Sequence, residues 1–140
     1  SLDISNLPNF EGVLNPSVED GFNQEWLNDR ILWSVDDSTD DGVPIIATLE
    51  FSHNINTAQL GFLDNLSTPI FSNGYFITPD GIISVNEGDN YEYYRILDID
   101  GTKISLAEGE ILLDVISDTT PDQYFFTDKN DAQTFYDTLG

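Results

Sequence analysis

Residues 74–117 constrain the fold of this chain more than any other stretch, because turn chemistry recurs there between short runs of β-branched and aromatic residues. The runs are 74–78, 82–85, 91–99, 102–107 and 111–117, broken by Pro79-Asp80-Gly81, a polar segment and Asp100-Gly101. Successive side chains of a strand point to opposite faces, and such residues pack well on a pleated surface. Alternating runs separated by tight-turn residues therefore predict an antiparallel meander.

Two of the turns also predict register. In Thr78-Pro79-Asp80-Gly81 the proline presets φ at the second turn position and the glycine takes a left-handed one, as in a type I turn followed by a bulge. Ile77 is then expected opposite Ile83, and Tyr75 opposite Val85. Asp100-Gly101 suits a two-residue type I′ loop, whose central residues both need φ > 0. That loop sets Ile99 against Thr102, Asp98 against Lys103, Leu97 against Ile104, Ile96 against Ser105 and Arg95 against Leu106. Asp98 and Lys103 would form an opposite-charge cross-strand pair.

The flanking sequence predicts one domain over residues 1–140. An extended lead-in, 1–16, carries Pro8 and Pro16 and shows no signal-peptide pattern. A helix is expected over 17–33, with Ser17 as N-cap and Phe22, Trp26, Arg30 and Trp33 at helical spacing. The two tryptophans are read as core packing, not as a sugar platform. An antiparallel β region follows over 44–127, with strands at 45–51, 58–62 and 123–127 and a loop at 64–69. A helix closes the chain over 129–139, with Ala132, Phe135, Tyr136 and Leu139 on one side. The predicted class is α+β: a mostly antiparallel β meander, curled as a barrel or a sandwich, with an N-terminal helix and a short C-terminal one.

Charge narrows the partners. The chain has 26 acidic residues against four basic ones, a formal net charge of -22. Four scattered cations cannot neutralise a phosphate backbone, so direct nucleic-acid binding is not expected. Attachment to an anionic membrane is disfavoured by the same sum, and no apolar run reaches the ~20 residues a spanning helix needs. Cysteine is absent, which removes disulfides and thiol chemistry.

Catalytic patterns are missing as well. The chain shows no phosphate-cradling glycine loop, no G-x-S-x-G and no H-E-x-x-H. His53 is the lone histidine and is read as a surface or cap residue. A carboxylate pair remains chemically possible, but nothing in the sequence distinguishes one pair among so many acids. No enzyme and no cofactor are expected. The acidic string holding Asp36, Asp37, Asp40 and Asp41 offers at most a low-affinity calcium loop, because an EF-hand register started at Asp36 or Asp37 puts Ala47 or Thr48 at the bidentate position.

Binding is the remaining option. Tyr91, Tyr93, Tyr94, Tyr124 and Phe125 form the candidate surface, with core filling as the competing role. Residues 91–106, an aromatic pair leading through an Asp-Gly turn into an alternating strand, resemble hairpins of β-rich virion proteins of tailed phages. The resemblance implies a structural role in a particle or fibre and assigns no site residue. The expected function is a non-enzymatic structural or adhesive module of a virion or cell surface in saline surroundings, acting by self-association or through a protein partner. The alternative is an acidic inhibitor, immunity-type or a DNA mimic, acting in the cytoplasm on a basic partner surface.

Overall fold

The computed structural model describes residues 14–37, 43–52, 57–62 and 71–139. Eight antiparallel strands run in chain order: β1 (Ile31–Asp36), β2 (Ile45–Ser52), β3 (Thr57–Phe62), β4 (Phe71–Ile77), β5 (Ile83–Asn86), β6 (Tyr91–Asp100), β7 (Lys103–Gly109) and β8 (Gln123–Phe126). Each pairs with the next, and β1 also pairs with β8 through Trp33↔Phe126, Ser34↔Phe125 and Val35↔Tyr124. The sheet thereby closes into a barrel. Three helices attach to it: α1 (Gln24–Leu27), α2 (Leu112–Ser117) and α3 (Lys129–Leu139). The expected α+β meander is what forms. Among the described residues no helix is long and apolar enough to cross a membrane.

The barrel is filled, not hollow. Leu32, Leu49, Phe51, Tyr75, Ile83, Val85, Tyr94, Ile96, Ile104, Leu106 and Phe125 form one buried cluster with Phe22, Trp26 and Leu27. Those last three belong to the N-terminal segment, which plugs one end. On the outer wall, α3 covers β1 and β8, joining Val35, Phe126 and Ala132 to Trp33, Ile46, Tyr124 and Phe135.

Several expectations need correction. The helix expected over 17–33 is only the four residues of α1. Ser17 does accept from the Asp20 amide at 2.9 Å, but Gly21 at φ 73° ends that turn. Asn23 then starts α1 by accepting from the Trp26 amide at 2.8 Å, and Asp29 at φ 56° stops it. The apolar residues beyond it alternate as a strand, with Leu32 in the lumen and Trp33 outside. Both tryptophans do pack in cores, although in different ones.

Residues 111–117, expected as a strand, instead contain α2. Arg95 on the outer wall of β6 holds its end: Nε donates to the Val115 carbonyl at 2.9 Å and an Nη to that of Asp118 at 2.8 Å. Tertiary contact overrides the β-propensity of Ile and Val here.

The Pro79 turn is as expected, with Ile77↔Ile83 and Tyr75↔Val85. The second hairpin is displaced. Asp100 pairs with Lys103, Ile99 with Ile104 and Asp98 with Ser105, so the expected Asp98–Lys103 pair does not form. Gly101 adopts φ 60°, whereas Thr102 keeps a negative φ. A β-branched residue resists the left-handed region, so the loop becomes Gly101-Thr102 with glycine first, as in a type II′ turn. A bulge between Ile96 and Asp98 then shifts the pairing to Ile96↔Leu106. It lets Tyr94, Ile96 and Ile99 all reach the core despite their broken alternation. The 64–69 loop, His53 and most of the lead-in lie outside the described residues.

One backbone contact fixes the plug. The Phe22 amide donates to the Gly81 carbonyl at 2.9 Å, and Gly81 itself sits at φ 82°. A Cβ on Gly21 would lie 2.6 Å from the Gly81 oxygen, and one on Gly81 would collide with the Asp20 carbonyl. Gly101 also has positive φ, but its missing Cβ faces open space. Gly81→Ala should therefore cost about 3–5 kcal/mol by chemical denaturation, since strain and collision add. Gly101→Ala should cost only about 1–2 kcal/mol, from strain alone. Equal losses would remove the glycine contact as the anchor of the plug.

Candidate functional site

β6 carries two chemically distinct surfaces on its alternate sides. Inward, toward the open mouth of the barrel, lie Glu92 and Tyr94; outward lie Tyr91, Tyr93 and Arg95. Tyr94 pairs with Glu108 of β7, which places both carboxyls at the mouth.

Glu92 donates its carboxyl proton to Glu108. Burial, first, and then that hydrogen bond and the Glu108 charge raise the Glu92 pKa to about 9. Glu87 is also raised, by burial and by Glu110 and Glu108. Tyr94, buried beneath them, is pushed well up by desolvation and then by Glu92, Glu108, Glu87 and Asp36. The mouth is thus a crowded set of carboxyls held above a buried tyrosine. The cavity under α2 that reaches Glu108 is lined also by Gly109, Glu110, Ile111, Asp114, Val115 and Asp118, without Glu92.

The outer wall is of a different kind. One register row crosses four strands as Phe76↔Ser84, Ser84↔Tyr93 and Tyr93↔Gly109. It ends under α2, where a Cβ on Gly109 would touch the Val115 side chain at 3.4 Å. The Phe76 and Tyr91 rings meet edge-on at 5.5 Å and 80°, and Tyr91 and Tyr93 lie 6.1 Å apart. Phe76 is 47% exposed and Tyr91 37%. Beyond them Ile111 and, on α2, Leu113 and Ile116 are exposed.

Ser84 lies in this row fully buried, and its hydroxyl has no hydrogen-bond partner. An outward serine on a barrel would ordinarily be wet. Leaving a buried hydroxyl unpaired costs about 1–3 kcal/mol.

The five aromatics expected as one surface occupy three places. Tyr91 and Tyr93 stand on the outer wall, whereas Tyr94 and Phe125 fill the lumen with their rings 5.2 Å apart. Tyr124 lies under α3, 4.8 Å from Phe135. Sequence reasoning missed Phe76, Ser84 and Glu92, although the period of two already separates Tyr93 from Tyr94. Of the calcium candidates, Asp36 ends β1 opposite Ile45, and Asp37 accepts from the Tyr124 hydroxyl at 3.5 Å. Asp40 and Asp41 lie outside the described residues. Among the described residues no three metal-binding side chains form a group that could hold an ion.

Two outcomes follow. Ser84→Ala should raise stability by about 1 kcal/mol in denaturant titration, because it deletes an unpaired polar group; a loss of that size would mean the hydroxyl has a partner. For Glu92, a pKa raised in the folded state means stability present below the ordinary value of 4.5 and lost as pH climbs toward about 9. Glu92→Gln should therefore gain on the wild type across that window, by roughly 1–2 kcal/mol once solvent screening is allowed for. A pH-independent difference would refute the shared proton. No protein-family model, no curated protein and no solved structure matches this chain.

Proposed function

We propose that the protein is a non-enzymatic binding module, an adhesive or structural unit of a virion or cell surface. It engages a basic protein partner through the outer wall of β4–β6 and the adjoining α2. The observation that carries this reading is the outward apolar surface of Phe76, Tyr91 and Tyr93 together with Leu113, which is 77% exposed. Exposed apolar patches of this kind mark interaction sites. Aromatic anchors beside charged rims are the usual composition of such sites.

Charge selects the partner. Glu87, Asp89, Glu110 and Asp114 border the wall on the mouth loops and on α2, so a basic surface complements it. A non-catalytic role is supported by the lining of the cavity beside the mouth, which takes in Glu108 but not Glu92. Mimicry of a phosphate backbone would need the carboxylates in one band. Here exposed Glu19, Asp20 and Asp29 stand at the plugged end, Asp89 and Glu110 at the mouth, and Asp131 and Asp137 on α3. That spread favours the module over the acidic inhibitor.

Selection of a random cationic peptide library against the full chain tests the reading, above physiological salt, where the Debye length falls below ~8 Å. Selected peptides should combine Lys or Arg with apolar residues. They should lose at least ~tenfold in affinity, about 1.4 kcal/mol, on Phe76→Asp or Leu113→Asp. Both variants add negative charge, so unspecific attraction would rise instead. Peptides indifferent to both variants would overturn the proposal.

A further inference from the structure

Resting on the binding-module reading, we infer that Phe76, Tyr91 and Tyr93 form a seat for a lysine ammonium of the partner, with the Ser84 hydroxyl at its floor. Three observations converge on this place. The Phe76 and Tyr91 rings meet edge-on at 5.5 Å, and Tyr91 and Tyr93 lie 6.1 Å apart at a 35° tilt, which makes one continuous aromatic surface on this part of the wall. Ring faces attract cations, and clustered aromatic side chains are what hold ammonium ligands elsewhere.

The second observation is the floor. Ser84 pairs with both Phe76 and Tyr93 across the strands, so its side chain stands between theirs. Its oxygen is buried and unpartnered and can accept a hydrogen bond. An ammonium brings three donors and no acceptor. Seating one against the rings, with Tyr91 turned so that its face stays on the ammonium, would give that oxygen its missing partner.

The third observation is the field. Glu87 repels Glu108 and Glu110 across the mouth, and the β5–β6 turn that places it is closed by the Glu87 amide on the Asn90 carbonyl at 2.8 Å. Tyr91 follows that turn directly. A cation on the aromatic wall would therefore sit beside a cluster of mutually repelling carboxylates. Lysine is favoured over arginine because a compact ammonium can reach a single buried acceptor, whereas a planar guanidinium suits paired acceptors.

The test uses the full chain in NMR titrations with Nα-acetyl-lysine methylamide, its Nε-acetylated form and the arginine equivalent, all above physiological salt. The lysine compound should move the Phe76, Tyr91 and Tyr93 ring resonances saturably, and Nε-acetylation should weaken binding at least ~fivefold. Tyr91→Leu should abolish the response. Ser84→Ala should weaken it while leaving the melting temperature equal or higher, a combination that a folding defect would not produce. Equal binding of the acetylated compound, tighter binding of the arginine compound, or indifference to Ser84→Ala would each overturn the seat. Library peptides still sensitive to Phe76→Asp alongside a silent lysine titration would overturn the seat and leave the binding wall standing.

Discussion

The pairing of β1 with β8 is the constraint from which the rest of the structure follows. Without it the sheet would present two open edges, each a row of unpaired amides and carbonyls. With it, Leu32 and Phe125 become walls of one lumen, and Val35 and Phe126 become one floor for α3. The closure also explains why the N-terminal helix is short. Residues 31–36 are taken by the strand that shuts the barrel, so the chain must turn at Asp29 and enter β1 from the plugged end. Phe22, Trp26 and Leu27 then seal that end, and the Gly21–Gly81 contact sets how closely they approach.

Three of the four cations hold the added elements onto this barrel. Arg30 lies over the Trp26 ring at 4.0 Å and donates to the Trp26 carbonyl, fixing the plug. Arg95 ends α2 through two carbonyls. Lys103 stands over the Tyr124 and Phe135 rings at 5.0 Å and 4.5 Å, joining β7 to α3. None of these contacts is with a carboxylate. These three basic residues are therefore engaged by rings and carbonyls, and Arg95 also lends its charge to the nearby Asp118 carboxylate.

The parts legible in the sequence were those set by local backbone chemistry. Thr78-Pro79-Asp80-Gly81 fixed its own register because proline and glycine leave the backbone few choices. The Asp100-Gly101 hairpin was visible, but its register depended on Thr102 refusing positive φ and on a bulge near Leu97, neither of which alternation can show. Ile31–Asp36 satisfied helical and strand periods alike, and closure against β8 decided between them. α2 depended on Arg95, a residue twenty positions from Val115 in the chain. The candidate site was least legible for the same reason. Glu92 is singled out from 26 acids only by the neighbours that β5 and β7 bring to it, and Ser84 only by its burial between Phe76 and Tyr93 on the neighbouring strands.

The outer wall raises the question of what could cover it. A second copy of the chain would bury the same apolar surface, but it would also bring a formal charge of -22 against another -22. At physiological ionic strength screening acts over about 8 Å, and Glu87, Asp89, Glu110 and Asp114 stand on the turns and the helix that adjoin the wall. Salt cannot screen charges that an interface brings together and dehydrates. A partner carrying basic residues around an apolar centre meets no such repulsion, and its cations would lie beside the exposed rings and the acidic residues that adjoin them. The aromatic wall and the charge imbalance thus point to the same kind of occupant, and they do so from independent features of the sequence.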